Sequence, residues 1–350
     1  MRNGQNVVIF APRRYGKSSL IWRAAQELVG SGDVLVAQVD VMRASTKERF
    51  AEKLASAIYE DIASVLYRVR DRAAQVFRGL RITPTVTLTT DGSLSFGFTG
   101  GHSAADLDAT IEHLLALPAQ LAAERERRVA LVFDEFQEIV KLDRHLIALM
   151  RSVFQEQAEV SHVYLGSRRH MMEQIFNDEH EPFWRSAKQM ELGVIAPGLF
   201  ADFLTTRFAS SGKGIARPVV DALLAITHAH PYGTQELAYA LWEVTPDGQS
   251  AVDEDLAIAL RRVLRAENAH FARIWERAPK AQRVLLEALA AEPGSQAMSV
   301  GYRRAHNLPA ASTVQRALEA LTDDELVTRF AEGYRIAEPF LAEWIVTGDF

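Results

Sequence analysis

The chain contains no cysteine, which excludes disulfides, zinc ribbons and thiol catalysis and fits a reducing cytoplasm. No uninterrupted apolar stretch approaches the ~18 residues of a membrane span. Met1-Arg2-Asn3-Gly4-Gln5-Asn6 leads into a short apolar run with no signal-peptide pattern. A basic excess is also missing. The formal net charge is −6, so no global positive field attracts nucleic acid or acidic lipid. Internal repeats and low-complexity segments are absent. What remains is a chain of 350 residues and 48% hydrophobic content, enough for a large core and two or three domains. These absences lead us to expect a cytoplasmic protein without membrane contact.

Residues 6–12 read as a buried strand, because Val7-Val8-Ile9-Phe10 is continuously apolar. A helix is expected over 17–29, ended by Gly30-Ser31-Gly32, then a second strand over 34–41 with Asp40 near its end. Residues 46–78 are charged and helically periodic. In 83–98, Val86, Leu88, Leu94, Phe96 and Phe98 alternate with polar residues around Asp91-Gly92, which predicts a hairpin. After Gly100-Gly101, Ser103 can cap a helix through Leu107, Ile111, Leu114 and Leu115, with Pro118 kinking or restarting it. Residues 129–133 and 162–165 supply the third and fourth core strands. This alternation predicts an α/β fold with a parallel sheet. From Pro197 onward the pattern is nearly all helical, with helices expected over 199–208, 218–228, 234–244 and 253–276. The end of the chain gives three short helices and a small hairpin around Glu332-Gly333, the winged-helix pattern.

Ala11-Pro12-Arg13-Arg14-Tyr15-Gly16-Lys17-Ser18 matches G-x-x-x-x-G-K-[ST], with Ala11 in place of the first glycine. It follows a strand and opens a helix, as phosphate binding requires. Backbone N–H groups of such a loop, up to Ser19, converge on phosphate oxygens at a helix N-terminus. Gly16 permits the turn, Lys17 supplies a point charge for the β- and γ-phosphates, and the Ser18 hydroxyl can ligate Mg²⁺. Ala11 leaves a methyl group where an unusual dihedral is often used. Val129-Ala130-Leu131-Val132-Phe133-Asp134-Glu135 is an apolar strand ending in two acids, the Walker B pattern. At the C-terminal end of a parallel strand, Asp134 would orient Mg²⁺ and Glu135 would polarise the attacking water. A simpler reading has both acids capping the next helix.

These residues resemble a known family. Arg13 through Leu20, Phe133-Asp134-Glu135-Phe136-Gln137 and Leu165-Gly166-Ser167-Arg168-Arg169-His170-Met171-Met172 look like the archaeal-type ATPases, in the STAND branch of P-loop NTPases close to AAA+ proteins. The likeness continues through Phe183-Trp184-Arg185, His230-Pro231-Tyr232 and the run from Tyr334 to Trp344. The resemblance implies a RecA-like ATPase core over 1–195 with a hairpin insertion at about 82–100, a helical lid over 196–277 and a winged helix over 278–350. It implies a polar sensor at Ser167, for which an N-cap role is the alternative. Arg168 and Arg185 are its candidates to meet the γ-phosphate, with ordinary surface charge the alternative reading of Arg168 and Arg169. Pro231 would sit near the nucleotide or simply start a helix. Members usually carry glycine at the place of Ala11. They also begin with a base-binding stretch ahead of the loop, whereas Met1 here stands only ten residues before Ala11.

Residues 278–350 carry seven basic and ten acidic side chains, so DNA contact through the winged helix is disfavoured, although Arg303 and Arg304 could form a patch. The expectation is an ATP- and Mg²⁺-binding ATPase acting as a nucleotide-driven switch. A protein partner would be met through lid or winged helix, and a homo-oligomer is left open. The alternatives are a DNA-acting initiator- or loader-type ATPase and a non-catalytic nucleotide-binding scaffold.

Overall fold

The apolar runs read as buried strands lie in one parallel sheet in the computed structural model, which describes residues 3–32, 34–63, 77, 79–82, 84–88, 94–98, 103–330 and 333–348. The chain divides into two compact units, 1–11 with 17–192 and 12–16 with 193–350. Among the described residues no helix is long and apolar enough to cross a membrane.

In the first unit the strands are β1 (Val7–Phe10), β2 (Val34–Asp40), β3 (Thr85–Leu88), β4 (Leu94–Gly97), β5 (Arg128–Asp134), β6 (Val160–Gly166) and β7 (Lys188–Glu191). The sheet order is β2-β5-β6-β1-β7 with every pairing parallel. Both faces are covered, which is why the inner strands are apolar at every step rather than at alternate ones. Ile9, Val132, Val163 and Leu165 meet Ile21 of the helix Lys17–Gly30 on one face. Leu131, Phe133 and Tyr164 join the large core on the other, with helices Lys47–Ala57, Ala104–Arg125 and Arg144–Phe154. Phe10 is in register with Gly166, Phe133 with Tyr164 and Asp40 with Asp134. That register brings Ala11, Asp134, Glu135 and Ser167 to the same end of the sheet, where open α/β sheets bind ligands.

Three local expectations change. The helix expected over 46–78 begins with the Thr46 hydroxyl accepting from Arg49 N and runs over Lys47–Ala57. It then widens into a π-type turn at Ile58–Ala63. The widened turn presents Asp61 to the N–H of Gln38 on edge strand β2, a donor no neighbouring strand accepts. Residues 64–76 and 78 of that expectation lie outside the described residues, as do Asp91-Gly92, Gly100-Gly101 and Glu332. Pro118 does not restart a helix. It sits inside the continuous helix Ala104–Arg125, capped by Ser103. The third change is β7, an added strand that pairs with β1.

The second unit contains helices Pro197–Ser210, Arg217–Thr227, Pro231–Val244 and Asp253–Arg277, with a short parallel pairing of β8 (Gly214–Ile215) and β9 (Ser250–Ala251). Then follow helices Lys280–Ala291, Val300–Ala305 and Ala311–Asp323, the antiparallel pair β10 (Val327–Arg329) and β11 (Tyr334–Ile336), and a closing helix Pro339–Thr347. A single core runs through these elements from Phe200 to Ile345. Trp344 is fully buried, and its indole N–H donates to Asn268 Oδ1 at 2.7 Å.

Candidate functional site

The loop after β1 is tied at its start to the end of β6 and, through the Lys17 side chain, to its own first residue. Ala11 N donates to Gly166 O at 3.3 Å, and the Lys17 ammonium donates to Ala11 O at 2.9 Å. Positive φ falls on Arg14 (64°) and Gly16 (81°), not on Ala11. This explains how alanine serves at the first position of the motif. The left-handed turn is made later in the loop, and a methyl group at residue 11 meets no dihedral demand. Lys17 opens the helix Lys17–Gly30, so the N–H groups of that helix's first turn are those of Lys17, Ser18 and Ser19.

Ser18 Oγ donates to Asp134 Oδ2 at 2.7 Å. The other Asp134 oxygen accepts from Glu135 N at 3.0 Å. Burial lifts the Asp134 carboxyl above the ordinary carboxylate range, and neighbouring Glu135 adds to the rise. The Ser18 hydrogen bond and the Lys17 charge oppose it. A hydroxyl and a carboxylate converging in this way are the hard oxygen donors that suit Mg²⁺.

Phe136 is fully buried beside Tyr164, with ring centroids 4.7 Å apart, and that anchor turns the backbone sharply at the end of β5. Glu135 therefore takes a left-handed conformation, φ 52° and ψ 46°. Its Oε2 accepts from Ser167 Oγ at 2.8 Å and from Gln137 Nε2 at 2.6 Å. No side chain caps the following turn, so the helix-capping reading of this acid pair does not hold. Ser167 is not an N-cap either. That place belongs to Arg168, whose side chain makes no cap bond, and the Ser167 hydroxyl is committed to Glu135.

The arginines divide. Arg169 pairs with Glu173 at 2.8 Å and Glu191 at 2.6 Å, which is surface charge tying its helix to β7. Arg168 is half-buried, and its Nε is buried without a partner, so the surface-charge reading does not describe it. Arg185 is exposed, with φ 51°. Its N–H donates to Phe176 O, and its guanidinium lies 5.0 Å from the Trp184 ring centre. Neither contact involves Lys17, Asp134 or Glu135.

Segment 12–16 groups with the second unit. Pro12 and Gly16 are half-buried there. Arg13 Nε meets Glu325 at 2.7 Å. Arg14 Nη1 meets Glu338 at 2.8 Å, and its guanidinium lies 4.4 Å from the Tyr232 ring centre. Tyr15 is buried edge-on against His230 at 4.7 Å. Burial and the Arg14 charge push His230 down to about 4. Its neutral Nδ1 accepts from Gly233 N at 3.1 Å, capping the helix that Pro231 starts. Pro231 thus has the geometry of a helix-start proline.

Sequence reasoning missed two polar side chains. Gln137 is fully buried against Glu135, and Gln38 Nε2 approaches Asp134 Oδ2 at 3.4 Å. The available signal for Gln137 was an amide between Phe136 and Ile139, both of them core residues.

A family model described as a "probable winged helix domain" matches residues 269–347. No curated protein matches the chain. Among solved structures, a Walker-type ATPase of Pyrococcus abyssi is similar at 14% identity over 98% of this chain and 91% of its own, with a TM-score of 0.66. The ORC1 protein of Aeropyrum pernix in complex with DNA is similar at 16% identity over 99% and 87%, with a TM-score of 0.50. The ADP form of the ORC2 protein from the same organism gives 13% identity over 98% and 86%, and a TM-score of 0.50. The parallel sheet β2-β5-β6-β1-β7, the helical region and the C-terminal winged helix make up a fold that the chain shares with these solved structures.

Proposed function

We propose that this protein is a Mg²⁺-dependent ATPase whose nucleotide turnover drives a conformational switch, and that its winged helix meets duplex DNA. One observation supports the catalytic part: direct hydrogen bonds join Ser18 to Asp134 and Ser167 to Glu135 at the C-terminal end of the sheet, where Lys17 is held by Ala11 O. The first-turn N–H groups and Lys17 neutralise the phosphate chain of ATP. Ser18 and Asp134 would hold Mg²⁺, which would offset charge on the phosphate oxygens. Glu135 accepts a proton from water as that oxygen attacks the γ-phosphorus, and ADP leaves with phosphate as the second product. Contacts made only to the γ-phosphate differ between ATP and ADP states, and that difference in binding free energy is what a ligand-driven switch needs. Arg168, half-buried and with its Nε buried without a partner, is the better arginine candidate on this chain than exposed Arg185.

For DNA contact the placement of charges matters more than their sum. In the helix Ala311–Asp323 no acid lies in the first two turns, where Ser312, Gln315 and Arg316 are exposed. Those are the turns that recognition helices present to bases. Among the acids counted against DNA, Glu325 and Glu338 are paired with Arg13 and Arg14, and Glu292 contacts His306 at 2.8 Å. Arg329 is exposed on the wing. The likeness to an ORC1 structure solved with DNA supports the same partner.

The decisive assay is steady-state phosphate release from Mg·ATP, with and without duplex DNA. Glu135→Gln keeps the side-chain shape and is expected to bind ATP while turning over about 10²–10⁴-fold more slowly. A mutant rate equal to the wild-type rate removes Glu135 as the base. Absence of wild-type release under both conditions leaves a nucleotide-binding scaffold.

A further inference from the structure

Gln137 lies two residues beyond Glu135, in the turn Phe136–Glu138, and is fully buried beside Phe136 and Ile139. Methionine or leucine would be the ordinary occupant of such a place. Its amide Nε2 instead donates to Glu135 Oε2 at 2.6 Å, the same oxygen that accepts from Ser167 Oγ at 2.8 Å. The two donors stand 3.5 Å apart, at the limit of a hydrogen bond, so they act on the carboxylate side by side rather than as a chain. Gln137 Oε1 is buried with no partner, a desolvation cost that packing alone does not explain. Space is also reserved for this amide: a Cβ at Gly166 would lie 2.9 Å from Gln137 Oε1 and collide with the Met172 side chain.

We propose that Gln137 is a positioning residue that holds the Glu135 carboxylate in one orientation, an inference that rests on the ATPase reading above. A single donor from Ser167 would leave the carboxylate free to swing about that hydrogen bond. A second donor from a different direction removes the freedom. Both donors fall on Oε2, which leaves Oε1 as the oxygen that takes the proton from water.

The test compares wild type, Gln137→Met, Glu135→Gln and the double variant. Methionine keeps the volume of the buried side chain and removes its donor. Gln137→Met is expected to lower kcat roughly 10- to 100-fold with KM for Mg·ATP unchanged, and to melt at or above the wild-type temperature, because the unpartnered amide oxygen is gone. In the Glu135→Gln background the same change is expected to cost nothing further, since Gln137 acts through Glu135. A readout independent of turnover is the carboxyl carbon resonance of Glu135 in nucleotide-free, ¹³C-glutamate-labelled protein, assigned by its loss in Glu135→Gln. It is expected to move in Gln137→Met. An unmoved resonance, an unchanged kcat, or a loss that persists in full in the Glu135→Gln background overturns the proposal. If the wild type releases no phosphate above Glu135→Gln, the ATPase reading fails, and the resonance alone decides whether Gln137 holds Glu135. Should Gln137→Met not fold, Gln137→Asn, whose amide is one methylene too short to reach Glu135, is read the same way.

Discussion

Lys17 is a buried ammonium group held by the carbonyl of Ala11, so its position is set by its own loop before any phosphate arrives. A charge placed in advance gives affinity without the entropy cost of ordering a long side chain on binding. Lys17→Ala is therefore expected to remove a charge-assisted contact of about 1.5–3 kcal/mol, a roughly 10- to 150-fold weaker Kd for ATP. Calorimetry reads this directly, with melting as the control for folding. Undiminished affinity would remove the phosphate-loop assignment. At this scale much of the site was legible. Lys17, Ser18, Asp134 and Glu135 were picked out by spacing and by their place at strand ends, and hydrogen bonds join Ser18 to Asp134 and Glu135 to Ser167. The side-chain partners of those residues were not legible. Which oxygen Ser167 and Gln137 address depends on the left-handed turn at Glu135, and no one-dimensional pattern encodes that turn.

Strands that run apolar from end to end were the easiest elements to read, and β5 and β6 are buried along nearly their whole length. Strand β7 was invisible because Lys188-Gln189-Met190-Glu191 is exposed throughout, as a short charged edge strand is when it protects a sheet edge. The helix expected over 46–78 misses its break because periodicity cannot distinguish a widened turn from a regular one. Inside β6, His162 carries a testable consequence. It stacks on Phe154 at 3.9 Å, and its ring nitrogens lie 3.1 Å from Gln157 Oε1 and 3.3 Å from Asn6 Oδ1. Burial, and to a lesser degree the Arg151 charge, pushes it down to about 3. In the unfolded chain it protonates near pH 6.5, so acid favours the unfolded state once the pH falls below that value. The stability from keeping His162 neutral is complete above pH ~6.5 and declines by about 1.4 kcal/mol per pH unit below it. Between pH 7 and pH 5 the wild type is expected to lose about 2 kcal/mol more than His162→Gln in urea melts. Parallel pH dependence in the two proteins would show that His162 does not titrate on unfolding.

For the whole molecule, the net charge of −6 and the placement of individual charges point in opposite directions. A global negative charge slows encounter with DNA at long range. Local phosphate contacts decide affinity once the surfaces meet, and they depend on which basic groups are exposed together. Ser312, Gln315 and Arg316 on the helix Ala311–Asp323, Arg329 on the wing and Arg304 are exposed, and duplex binding is expected through them. Arg329 lies 6.0 Å from the Tyr334 ring centre and Arg335 lies 4.4 Å from that of Phe330, so aromatic rings hold the wing's guanidinium groups. Fluorescence anisotropy of a labelled duplex, at low salt and with Mg·ATP, is expected to detect binding that weakens steeply as salt rises. Arg316→Ala and Arg329→Ala are each expected to weaken it and to reduce the salt slope by about one, the mark of one lost phosphate contact. The full chain is kept in every arm, because the charge pairs of Glu325 and Glu338 belong to the same unit as the winged helix. If the arginine variants bind as tightly as wild type, the contact lies elsewhere on the molecule. If no binding occurs even at low salt, where electrostatic attraction is strongest, DNA is not the partner. The switch would then have a protein as its target.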